Sequence, residues 1–104
     1  MNLNKQQAEN LILSFFIFHG KFPPGTTAAK WKQTKMSDMQ FDDPPLPGNP
    51  DFEKQKLAVL LQQQFNQLGL GMISPLDILK EGTKTMQDLA DFCFKNQSAL
   101  GSIL

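Results

Sequence analysis

The 104-residue sequence has no arginine and no tyrosine, and only one cysteine, one histidine and one tryptophan. Each shortage excludes a class of chemistry. Arginine is the usual residue for bidentate reading of guanine and for buried phosphate contacts. Its absence, with ten lysines balanced by ten acidic residues, argues against sequence-specific binding of nucleic acid. Only at Lys30, Lys32 and Lys35 does the zero net charge leave room for a hidden basic cluster. A lone Cys93 makes no intramolecular disulfide and no cysteine-rich metal site. It is expected as a small hydrophobe on a helix face, because reactive thiols need an electropositive, partly exposed setting. His19 leaves room for a Ser-His-acid triad, but no motif surrounds it. At the end of an apolar helix it reads as a partner for the C-terminal dipole.

A long hydrophobic run is also missing. The stretch LILSFFIF, residues 11–18, is eight residues long, whereas a membrane span needs about twenty. A signal peptide would want a basic start and a small-residue cleavage site; here Lys5 stands alone and Gly20 is followed by Lys21 and Phe22. The stretch therefore reads as a buried helix of a cytoplasmic protein. There is no repeat, glycine-rich phosphate loop, metal-ligand spacing or nucleophile elbow. The close carboxylates, Asp42 with Asp43 and Asp88 with Asp91, have no neighbouring base or basic clamp, so structural roles are expected for them. An enzyme, a metal and a cofactor are all unexpected.

What is present is the composition of a folded domain, with 40% hydrophobic residues and nine phenylalanines. The spacing of apolar residues predicts an all-α fold, a single helical domain over residues 1–104. Its helices fall at about 4–19, 51–68, 75–81 and 86–96, with a proline-containing loop at 21–50. The central helix sets Leu57, Leu60, Leu61, Phe65 and Leu68 at steps of three and four, with Asp51 or Asn49 as its cap. Helix one gathers Ala8, Leu11, Ile12, Phe15 and Phe16 on one face. Leu13, Ile17 and Phe18 widen that surface, so the helix is either central or covers a second hydrophobic partner. Asn4 with Gln7 and Thr85 with Asp88 have capping spacing. Ser74, Pro75 and Asp77 mark a helix start, and Gly20 offers a left-handed stop. Met86, Leu89, Ala90 and Cys93 face inward from the last helix. The expected core also includes Leu11 and Leu76.

In the loop, Thr27 starts a short turn carrying Ala28, Ala29 and Trp31, and Trp31 and Phe41 are expected to pin the segment down. The stretch DDPPLPGNP is either a rigid connector or a polyproline ligand for an aromatic groove. The tail from Gln97 either frays or docks its Ile103–Leu104 end.

The order helix, long loop, helix, short helix, helix carries one further likeness. Phe65 is followed by Ile73-Ser74-Pro75, then by Lys80-Glu81-Gly82-Thr83-Lys84, then by Thr85-Met86-Gln87-Asp88-Leu89. This pattern resembles the acyl and peptidyl carrier protein family, over residues 52–96 in sequence and elsewhere by layout. The resemblance implies a four-helix bundle whose second helix starts at a serine bearing a phosphopantetheine arm and shows an acidic face to basic enzymes. Aligned on Phe65, Asp51 stands where that serine belongs, after Pro50, and no hydroxyl is available. The second helix carries Glu53 among Lys54, Lys56, Gln62, Gln63 and Gln64 rather than an acidic row. The resemblance thus implies a carrier-like scaffold without its prosthetic group. Ser37 is the remaining attachment candidate, although it precedes Asp38 instead of following an aspartate.

Three functions are compatible with these residues. The first is a monomeric, non-catalytic module that binds another protein through helix one or the central helix. The second is a carrier protein modified on Ser37. The third is an unrelated helical adaptor, inhibitor or effector of a bacterial or phage accessory system.

Overall fold

A computed structural model of the chain describes residues 3–41, 48, 51–69 and 74–97. Among them the fold is all-α, a small four-helix bundle without strands. Its helices are α1, Lys5–Phe18; α2, Phe52–Gln67; α3, Leu76–Lys80; and α4, Met86–Asn96.

Two helices are opened by reciprocal capping boxes. Asn4 Oδ1 accepts from the Gln7 N–H at 2.8 Å, and Gln7 Oε1 accepts from the Asn4 N–H at 2.9 Å. At α4, Thr85 Oγ1 accepts from the Asp88 N–H at 3.2 Å while Asp88 Oδ2 accepts from the Thr85 N–H at 2.9 Å. α1 closes at Gly20, whose φ of 66° suits a residue without a Cβ. There the Gly20 and Lys21 N–H groups donate to the Ile17 and Phe16 carbonyls, both at 3.0 Å, the paired bonds of a Schellman stop. α2 and α3 start without a side-chain cap. Asp51 stands at the N-cap of α2, but its carboxylate makes no capping bond. Pro75 precedes α3, so Ser74 lies one residue too early to cap it.

α1 lies chiefly on α4, and α2 chiefly on α3. Ile12, Phe16, Leu61, Phe65, Leu79 and Leu89 meet between them, each 1% exposed or less. On α2 the buried arc is Glu53, Leu57, Ala58, Leu61 and Phe65. This corrects the expected stripe, because Leu60 and Leu68 are 38% and 50% exposed. At about 100° per residue, Leu60 falls roughly a quarter-turn away from the centre of that arc. Leu68 lies past the last helical residue. Leu11 and Leu76, expected in the core, are only half-buried against its edge.

The chain between α1 and α2 is not irregular where it is described. It forms two 3₁₀ turns, Trp31–Gln33 and Met36–Asp38, and buries Trp31, Met36 and Met39. Thr27 starts the first turn through its carbonyl, which accepts from the Lys30 and Trp31 N–H groups. Three backbone bonds then fasten the segment to the turn before α4. Met86 N–H donates to the Thr34 carbonyl at 2.9 Å, Met36 N–H to Lys84 at 2.7 Å, and Ser37 N–H to Gly82 at 3.2 Å. A Cβ on Gly82 would stand 3.2 Å from that of Ser37, so glycine permits this close approach. The expected proline-rich connector, at 42–47 and 49–50, and the tail beyond Gln97 lie outside the described residues.

The corrected helical phase makes a direct contrast. Leu61→Ala should destabilise the fold by about 2–5 kcal/mol, whereas Leu60→Ala should cost less than about 1 kcal/mol. Urea unfolding followed by circular dichroism checks both values.

Candidate protein-interaction surface

The surface is shaped first by where the carboxylates go. Helices α1 and α2 contain Glu9 and Glu53 as their acidic residues, and the fold buries both, at 8% and 6% exposed. Glu53 pairs with Lys21, the residue that closes the Schellman stop of α1. Glu9 meets Lys32 Nζ at 3.1 Å and accepts from Gln87 Nε2 at 3.0 Å, joining α1 to the first 3₁₀ turn and to α4. The Gln87 amide, with help from Lys32, holds the Glu9 carboxyl below the ordinary glutamate range against the opposing effect of burial. These pairings were missed in the sequence. The signal was there: Glu53 falls four residues before Leu57, on the rail continued by Leu61 and Phe65.

With its carboxylates turned inward, the outer side of α1 and α2 exposes several large apolar side chains. Phe18 is 84% exposed, Ile17 60% and Val59 53%. On α1, Ile17 and Phe18 lie well round the helix from buried Ile12, which separates the two roles of its apolar residues. A groove of about 570 Å³ runs between the last turns of α1 and the second half of α2, with Phe15, Phe18 and Leu60 as its apolar part and Gln63, Gln64 and Gln67 along one side. Past Leu60 the same face continues over Val59, Lys56 and Phe52 around a second depression of about 260 Å³. Lys56 Nζ lies 5.4 Å from the centre of the Phe52 ring.

His19 sits in this groove as the C-cap of α1, its ring centroid 4.5 Å from that of Phe15 and 5.1 Å from that of Phe18. Ser14 lines the same groove, but no carboxylate does, so the lining residues assemble no triad. Ser37 is exposed in the second 3₁₀ turn, against Gly82. Asp51 lies 4.0 Å from Lys80 Nζ at the end of α3. The two candidate site residues therefore flank the same turn, but Ser37 is not at the start of α2. An ion pair this exposed contributes at most about 1 kcal/mol, and it stands where a capping bond was expected for Asp51. Among the described residues no group of three or more histidine, cysteine, aspartate or glutamate side chains is arranged to hold a metal. Asp88 is occupied in the capping box, and Asp91 accepts from Gln87 at 2.9 Å. Lys32 is drawn from the lysine cluster to Glu9, while Lys30 and Lys35 stay exposed. No described helix is long and apolar enough to cross a membrane.

Comparison of the chain with known protein families, with curated proteins and with solved structures finds no match.

Two of the buried titratable groups, Glu9 and Cys93, give separate tests. Because the folded-state pKa of Glu9 is depressed, its contribution is present above the unfolded-state pKa and disappears as pH falls through the folded value. Urea midpoints should therefore drop on acidification, with a shallower acid limb in Glu9→Gln. Cys93 is fully buried, and desolvation pushes its thiol up to about 12. It should resist a thiol-reactive dye in native buffer and react at once in denaturant, as followed by absorbance.

Proposed function

We propose that this chain is a non-catalytic, monomeric protein-interaction module, built on a carrier-protein-like scaffold without a prosthetic group and working in the cytoplasm. The observation that carries the reading is the apolar face exposed among the described residues. Phe18, Val59 and Leu60 are all exposed around the two adjoining depressions while a core has formed beneath them among the described residues. Contiguous apolar surface of this kind on a folded domain marks a contact site. The absence of a hydroxyl at Asp51 supports the loss of the carrier chemistry, and the position of Ser37 beside Gly82 rather than at the start of α2 gives it little support as a substitute.

Two measurements test this reading. Intact mass after co-expression with a phosphopantetheinyl transferase should equal that of the unmodified chain; a pantetheine arm on any serine would return the protein to the carriers. A Phe18→Ser/Leu60→Ser variant should keep its fold by circular dichroism and lose the protein captured by the wild type. Capture unchanged by the two substitutions would overturn the assignment of the site.

A further inference from the structure

We infer that the protein holds a site separate from the groove: a hollow between α1 and the segment that follows it, which takes a single uncharged apolar ring. The hollow measures about 160 Å³ and shares no lining residue with the groove or with the depression beyond it. The inference stands apart from the interaction-module reading.

Its walls are set by local structure. Leu13 and Ile17 stand four residues apart on α1 and so form one rail. Past the stop at Gly20 the chain supplies the rest of the lining, first Phe22, then Thr26, Thr27 and Ala28, then Trp31. A tight turn holds this stretch in shape, since the Thr26 N–H and Oγ1 both donate to the Pro23 carbonyl, at 3.2 and 2.8 Å. Trp31 is 5% exposed and belongs to the core, and Phe22 meets its ring edge-to-face. The hollow is therefore formed before a ligand arrives, which spares an occupant the cost of ordering it.

Size and polarity select the occupant. A cavity of roughly 150 Å³ lined by leucine, isoleucine and phenylalanine takes up benzene. The hollow, at about 160 Å³ with Leu13, Ile17, Phe22 and Trp31 in its lining, is of that class. None of its lining residues ionises. Lys32 Nζ lies 5.9 Å from the centre of the Trp31 ring, but it is paired with Glu9. A charged ligand would thus give up its hydration without gaining a partner. Ordered water is poorly served as well, because it needs several polar partners and the Thr26 hydroxyl is spent on Pro23. A partner helix, about 10 Å across or more, is too wide for the space. What enters is a free small molecule or one side chain, and both bring the same chemistry, a neutral ring set against Trp31.

Trp31 is the only tryptophan and there is no tyrosine, so the intrinsic fluorescence of the chain reports on this hollow. Benzyl alcohol, benzoate and benzylammonium share one ring and differ in charge. Benzyl alcohol should change the Trp31 emission saturably, with a dissociation constant on the order of a millimolar. It should bind at least about tenfold more tightly than either ion. Ile17→Phe and Ala28→Leu, both at exposed lining positions, should each weaken it by about tenfold by filling the space, with circular dichroism checking that each variant is folded. Phe18→Ser, in the groove, should leave it unchanged. A response that never saturates, one equal for all three compounds, or one indifferent to both filling variants would overturn the hollow as a site and leave the interaction module standing. N-acetylphenylalaninamide, a ring carried on a peptide backbone, identifies the source. Weaker binding than benzyl alcohol assigns the hollow to a free molecule, tighter binding assigns it to a partner's side chain, and either result upholds the ring.

Discussion

Three backbone hydrogen bonds, from Met86 to Thr34, from Met36 to Lys84 and from Ser37 to Gly82, hold the fold's longest connection in place. A connection of about thirty residues carries a large ordering entropy and many backbone groups in need of partners. Fastened to the turn before α4, it places Trp31, Met36 and Met39 where the four helices would otherwise leave their core open. The same fastening brings Lys32 to Glu9. Phe22 adds an edge-to-face contact to Trp31, with ring centroids 6.4 Å apart.

The ends of the described chain are joined by a second device of the same kind. The Gln97 side chain accepts from the Leu3 N–H and donates to the Leu3 carbonyl, both at 2.8 Å, as a backbone strand would. It links the residue after α4 to the one before the α1 cap, reinforcing the closest helix pair of the bundle. The buried pair of Lys21 and Glu53 does the equivalent work between the end of α1 and the start of α2. Loss of one member of such a pair strands the other charge out of water, which is strongly destabilising. These polar links have a second effect. By taking Glu9 and Glu53 inward they leave α1 and α2 with an outer surface free of their own carboxylates.

α2 consequently serves two surfaces. Its inner rail, Leu57, Leu61 and Phe65, belongs to the core, while Phe52, Val59 and Leu60 look outward, Leu60 sharing a groove with Phe18. A helix apolar on two sides is either enclosed by its own fold or awaits something else to cover it. Among the described residues the bundle encloses the Leu57, Leu61 and Phe65 side and leaves Val59 and Leu60 exposed.

The all-α class, the capping boxes at Asn4 and Thr85 and the stop at Gly20 were legible in the sequence, because each depends on interactions within a few residues. The inward places of Phe15, Leu57, Phe65, Leu89 and Cys93 were legible for the same reason, from periodicity alone. Leu60 was not, since two adjoining apolar rows on one helix fit the same three-and-four spacing, and only the neighbours determine which row is covered. The burial of Glu9 was equally hidden, for it depends on Lys32 and Gln87 arriving from distant parts of the chain. Asp51 has the right residue type for a cap, yet its backbone, at φ −101° and ψ 16°, departs from the extended conformation that capping favours. Local chemistry set where helices begin and end; tertiary packing decided which of their apolar faces became core and which was left as surface, because burial is a property of neighbours that no stretch of sequence contains.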